Sequence, residues 1–228
     1  MIERVNYSST KKLPEILSEG DINKIINQVF ESAQYWNVKG REGWARFFRM
    51  RDACLIATIY ILGLRPKEGC CLRFDDFNFR NMTIKIRGVN NKVKKDRILP
   101  MPRALNNVLR PYLAFPRHRF WKGSKYLFPS YMNAHISPGS LKRIMREKVL
   151  KPLGLWYMPE NCRIPKIRCY TLRHSRASHI LKKQIMETGS PDIFAISNFL
   201  GHGDIRSTTV YLHTDEKYQD YLRSQIEI

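Results

Sequence analysis

The stretch from about Trp44 to Leu62 constrains the rest of the chain, because it reads as a helix that is apolar nearly all round. A helix without a polar face must be wrapped by other elements, so it predicts a central core helix rather than a surface one. Its longest apolar run, Cys54 to Leu64, is too short for the roughly 18 residues that a membrane span needs. At 228 residues the chain can bury such a helix in one sizeable domain or divide into two small ones.

Around that helix the pattern alternates between helical and strand periods. Residues 1–12 are polar and read as a flexible N-terminal tail. Ser18-Glu19-Gly20-Asp21 is a helix-start signal before Ile22, Ile25, Ile26 and Val29 at helical spacing. A linker near Gly40 to Gly43 leads into the central helix. Gly63 closes that helix and Pro66 suits the first turn of the next, which fixes Arg65 at a tight junction. Thr83 to Arg87 and Arg97 to Pro100 read as two strands about the turn Gly88-Val89-Asn90-Asn91. Further helices are expected over Pro102 to Leu113, Ser140 to Leu150, Thr171 to Lys183 and Asp192 to Leu200. Arg117-His118-Arg119 with Phe120 and Trp121 makes a basic–aromatic loop, and Gly154 to Cys169 a second loop excursion. Ser207, Thr208 and Thr209 are candidate N-caps for a last helix, with Tyr211 near its front. The fold class expected is mainly α with a small antiparallel β-hairpin or sheet.

Charge narrows the partners. Forty Lys and Arg against twenty Asp and Glu give +20, a field that draws a polyanion, either nucleic acid or an anionic membrane surface. The N-terminus has no apolar signal region, so membrane is the weaker choice and a cytoplasmic, DNA-associated protein is expected. The five cysteines form no CxxC pair, which suits free thiols; Cys162 and Cys169 would bridge only on paired strands. The six histidines form no ligand set, so no metal and no cofactor are implied. Lys142, Arg143, Arg146 and Lys148 include several on one helical face, as for a helix lying along phosphates. Lys92, Lys94, Lys95 and Arg97 cluster just after the hairpin turn.

Taken singly, these residues have ordinary readings. Tyr211 between Val210 and Leu212 is a half-buried aromatic, Arg65 a surface arginine and the lysine cluster a solvated hairpin. Taken together they do not. Gly63-Leu64-Arg65-Pro66-Lys67-Glu68, Thr171-Leu172-Arg173-His174 and the run from Leu200-Gly201-His202 to Tyr211 resemble, in order, the three signature regions of the tyrosine recombinases, the phage integrase family. The resemblance extends from about Leu13 to Tyr211.

It implies a tyrosine recombinase catalytic-domain fold over 13–214, a C-terminal tail over 215–228 that docks on a neighbouring protomer, and no N-terminal core-binding domain. It implies a site-specific recombinase that cleaves and rejoins duplex DNA through a 3′-phosphotyrosine link, assembled as a tetramer on paired sites. Tyr211 is then the nucleophile, Arg65 and Arg173 hold the non-bridging oxygens, and His202 adds a donor. Lys92, with Lys94 as fallback, is the general acid for the leaving 5′-oxygen. Lys94, Lys95, Arg97, Lys142, Arg143 and Arg146 are expected on DNA. Glu68 is expected to pair with Arg65 and steady it, and His174 to orient or pack.

One position departs from the pattern. Tyr170 stands three residues before Arg173, where the family usually has a histidine proposed to assist proton removal. A phenol is a poor base near neutral pH, and Tyr170 becomes a second nucleophile candidate behind Tyr211. The departure feeds a rival reading, a catalytically weak or inactive DNA-binding protein of the same fold. A type IB topoisomerase-like activity would share the active-site logic.

Overall fold

Helix α2 (Glu42–Ile61) runs through the middle of the molecule, and Cys54, Leu55, Ile56, Ala57 and Ile59 are wholly buried. A computed structural model describes residues 14–34, 42–91, 93–114, 124–131, 134–159 and 165–212. The expectations for 1–12, Gly40, Lys92, Arg117 to Trp121, Cys162 and 215–228 therefore lie outside the described residues.

Around α2 pack α1 (Glu19–Gln34), α3 (Pro66–Cys70), α4 (Arg103–Ala114) and α6 (Cys169–Thr188). Their apolar stripes close one core that includes Ile22, Ile25, Leu105, Leu109 and Leu172. Gly63 ends α2 at φ +58°, and a Cβ there would come to 2.9 Å of Leu200 Cδ2. Glycine is thus needed for both the turn and the close approach.

The sheet is antiparallel in the order β1 (Phe77–Asn78), β2 (Thr83–Ile86), β3 (Arg97–Pro100). The two strands read from alternation are β2 and β3; β1 is a two-residue strand, too short to show a period. Ile84 pairs with Leu99 and Ile86 with Arg97. Ile84, Ile86 and Leu99 face the core, while Ile98 on the other face is 71% exposed.

Helix α5 (Pro138–Ile144) starts at Ser137, whose Oγ accepts the Ser140 N–H at 3.0 Å, and passes into a wider π turn, Met145–Leu150. Helix α7 (Ile193–Leu200) is capped by Asp192, which accepts the Ala195 N–H at 2.8 Å, and is stopped by Gly201 at φ +68°. The last described helix is α8 (Arg206–Thr209). Ser207, Thr208 and Thr209 lie inside it and do not cap it. The N–H of Arg206 is taken instead by the Asp204 carboxylate, and Tyr211 follows the helix rather than opening one.

A second, smaller apolar cluster joins α6 to α7 through Ala177, Leu181, Ile185, Ile196, Leu200 and Tyr211. Phe199 packs against both clusters. The segment ahead of α1 is tied to α6 at one residue: Leu17 N–H donates to Ser175 Oγ at 2.9 Å, and His179 Nε2 donates to the Leu17 carbonyl at 2.9 Å. Cys54, Cys70, Cys71 and Cys169 are buried free thiols. Among the described residues no helix is long and apolar enough to cross a membrane.

Candidate active site

The site grows from the junction that follows Gly63. Arg65 is extended (φ −67°, ψ 147°), as the residue before a proline prefers, and Pro66 begins α3. Glu68 then falls in the first turn with its carboxylate turned back on the Arg65 N–H at 2.8 Å. The side chain of Glu68 is fully buried, and such a carboxylate persists only when it is paired.

Three arginines surround it. Arg65 Nη1 donates to Glu68 Oε1 at 3.1 Å. Arg97 places Nη1 and Nη2 on the two oxygens at 2.8 and 3.0 Å. Arg173 Nη1 lies 3.9 Å from Oε2 and donates to the Gly63 carbonyl at 2.7 Å. Burial raises the carboxyl of Glu68, but hydrogen bonds and charge from Arg97, the Arg65 N–H and Arg173 outweigh it and hold the group below its usual value.

One carboxylate does not neutralise three guanidinium groups. Arg173 is 3% exposed, and burial together with neighbouring Arg65 lowers its guanidinium to about 10. Among the described residues its Nη2 has no hydrogen-bond partner, nor does Arg97 Nε. Buried donors without acceptors are costly, so the cluster is built to receive an anion with several oxygens.

The turn after α7 closes the other side. Arg65 Nη2 donates to the Gly201 carbonyl at 3.1 Å, and a Cβ on Gly201 would come to 2.7 Å of Arg97 Nη1. His202 Nδ1 sits 2.7 Å from Thr208 Oγ1, and its ring lies nearly parallel to Tyr211 with centroids 6.4 Å apart. Burial first, then Arg173 and Arg65, push the His202 imidazole down to about 3. Tyr211 is 3% exposed; burial raises its phenol, against which Arg173 and Arg65 act. The hydroxyl of Tyr211 lies 2.8 Å from His174 Nδ1. Tyr211 is thus both a buried aromatic and a hydroxyl in reach of the cations.

The structure brings Arg65, Glu68, Arg173, His174, His202 and Tyr211 into one pocket. Lys92 is outside the described residues, but its neighbour Val93 abuts the His202 turn: a Cβ on Gly203 would meet Val93 Cγ2 at 3.1 Å. Tyr170 is 46% exposed on the first turn of α6, its ring 6.5 Å from that of His174. Lys94, Lys95, Lys142 and Arg143 are exposed. Arg146 pairs with Glu147 and lies over Trp156 at 5.8 Å.

Arg97 sits differently from the hairpin lysines. Expected on DNA with the hairpin lysines, it faces inward and spends both terminal nitrogens on Glu68. The signal was present in the strand period, since Arg97 shares a face with buried Leu99. The bond from His174 to Tyr211, and the use of Thr208 as a partner of His202, were not readable from spacing.

Comparison with known proteins gives the family and the fold. A model of the phage integrase family matches residues 39–218. Over 213 residues the chain is 28% identical to tyrosine recombinase XerC of Thermodesulfovibrio yellowstonii, covering 91% of this chain and 60% of that protein. It is 28% identical over 216 residues to XerA of Pyrococcus furiosus, covering 93% and 62%. The chain thus spans about three fifths of the length of these relatives. Among solved structures, XerA recombinase superposes with a TM-score of 0.68 at 22% identity, covering 95% of this chain and 66% of that one. XerH recombinase, bound to its palindromic difH substrate after cleavage, superposes at 0.69 and 22%, covering 98% and 56%. At such identities the likeness speaks for the fold, which is that of tyrosine recombinase catalytic domains.

Proposed function

The chain belongs to the phage integrase family, and on that footing we propose that it is a site-specific recombinase acting on duplex DNA. Tyr211 attacks a strand phosphodiester to form a 3′-phosphotyrosine, which the 5′-hydroxyl of a partner strand then resolves. The observation that carries the reading is the cluster of Arg65, Arg97 and Arg173 around one buried carboxylate, with buried Arg173 Nη2 unmatched among the described residues.

Each residue has a physical task in this reading. Arg65 and Arg173 donate to the non-bridging oxygens and hold the charge that grows in the transition state. Glu68, clamped by Arg97, fixes those guanidinium groups before substrate arrives. Neutral His202 adds an N–H donor. Lys92 supplies the proton for the leaving 5′-oxygen. Exchange of one phosphoester for another conserves the bond energy. Lys94, Lys95, Lys142 and Arg143 meet the DNA backbone, with Arg146 contributing once released from Glu147. Residues 13–214 form the catalytic unit, and recombination on paired sites calls for a tetramer.

A second reading has an observation of its own. Tyr211 is 3% exposed and position 170 lacks the family's usual histidine, which favours a protein that binds DNA without cutting it. One experiment separates the two: nicked suicide duplexes of mixed sequence, incubated with wild type, Tyr211→Phe and Tyr170→Phe. Strand cleavage predicts a covalent protein–DNA product that only Tyr211→Phe abolishes. Binding without any adduct selects the second reading.

A further inference from the structure

The Tyr211 hydroxyl has a nitrogen base against it that is not at the position where the family usually carries one. His174 Nδ1 lies 2.8 Å from that oxygen, and the two rings lie with centroids 5.8 Å apart. Tyr170, which stands at that family position, carries a phenol in place of a nitrogen base and is 46% exposed. His202 Nδ1 is engaged with Thr208. A phenolic hydroxyl is a donor, and a neutral imidazole offers one lone pair to accept it.

We propose that His174 is the proton acceptor for Tyr211, taking at Nδ1 the proton that the phenol loses as it attacks DNA. The inference rests on the strand-cleavage reading. As the Tyr211 oxygen bonds to phosphorus, its O–H proton passes to His174 and leaves an imidazolium. The bond from phosphorus to the 5′-oxygen breaks, and that oxygen takes a proton from Lys92. In the second step an incoming 5′-hydroxyl returns its proton to Lys92, and Tyr211 departs with the proton held on His174. Protons and charge balance over the cycle, and no co-reactant is consumed.

The surroundings dictate the timing. Burial, then Arg173 and Arg168, push the His174 imidazole down to about 4, while burial raises the Tyr211 phenol. Transfer ahead of attack is therefore steeply uphill. Once the oxygen bonds to phosphorus its proton affinity collapses, so transfer accompanies attack, and the entering phosphate offsets the new positive charge. An idle site is thereby kept from forming phenolate.

The test uses the full chain on nicked suicide duplexes of mixed sequence, with adduct formation timed under single turnover. His174→Gln and His174→Ala are expected to slow adduct formation by roughly 100-fold while DNA binding is kept. Added imidazole restores much of the His174→Ala rate, which a packing role would not allow. Nitrogen-15 NMR of the wild-type histidines gives a test independent of variant folding: His174 carries its proton on Nε2, and its Nδ1 resonance shifts in Tyr211→Phe. Wild-type rates in the His174 variants, a loss that imidazole leaves untouched, or a proton on Nδ1 overturns the proposal alone. No adduct from wild type on DNA that it binds overturns strand cleavage itself, and this proposal with it.

Discussion

Arg97 and Glu68, 29 residues apart in sequence, meet as a two-pronged ion pair in which both terminal guanidinium nitrogens sit on the two carboxylate oxygens. The strand β3 thereby reaches under the turn at Gly201 and braces the carboxylate that Arg65 also uses. Removing Arg97 strips two charge-assisted hydrogen bonds from a fully buried carboxylate that still has Arg65 and Arg173 beside it, at a cost of about 1.5–3 kcal/mol. Arg97→Ala is expected to lose roughly that much in urea unfolding. A loss under about 1 kcal/mol, the range of an exposed contact, would return Arg97 to the DNA surface.

Gly201 tests the same contact from the other side. Its φ of +68° disfavours any side chain, and a Cβ would come to 2.7 Å of Arg97 Nη1. Gly201→Ala is expected to cost at least about 2 kcal/mol, of which about 1–2 is backbone strain. The remainder should vanish in the Arg97→Ala background, so a double-mutant cycle reads the contact directly. Strict additivity would mean that the two groups do not meet.

Stability should fall with acid before carboxylates titrate. Burial leads the lowering of both histidines, His174 to about 4 and His202 to about 3, from the ordinary 6.5. The unfolded chain therefore takes up protons first as pH drops below 6.5. Stability is complete above that value, declines through pH 5, and is fully lost for these groups near pH 3. Both rings are partly solvated, so the joint effect is discounted to about 2–4 kcal/mol. Melting curves between pH 7 and 5 check the sign, and His174→Gln with His202→Gln should flatten the slope.

Lys142 and Arg143 are exposed on α5 and free to meet phosphates. Lys142→Ala and Arg143→Ala should each weaken DNA binding about equally on all sequences and reduce the slope of log K against log salt by about 1. Titrations at several salt concentrations decide it. An unchanged slope removes α5 from the interface.

Much of this was legible because the signals are local. Apolar character all round marked α2 as central, alternation marked β2 and β3, and the Gly63–Pro66 spacing fixed the Arg65 junction. The Arg65–Glu68 pair was expected from a three-residue interval within one turn. What escaped lies across the fold. Arg97 reads as one of a basic cluster until its strand neighbours show which face it shares with Leu99. Thr208 reads as a cap until α8 forms one turn early and its hydroxyl turns to His202. The bond from His174 to Tyr211 joins residues 37 apart, and no interval within either motif encodes it.

Leu17 is gripped on both sides by α6, through Ser175 on its N–H and His179 on its carbonyl. Arg173 and His174 stand on the same helix, immediately before Ser175. Mechanically, the entering chain is a handle welded to the shaft that bears the phosphate clamp. A pull on the segment ahead of α1 is thus delivered as torque on the guanidinium of Arg173, with no hinge among the described residues between them to absorb it.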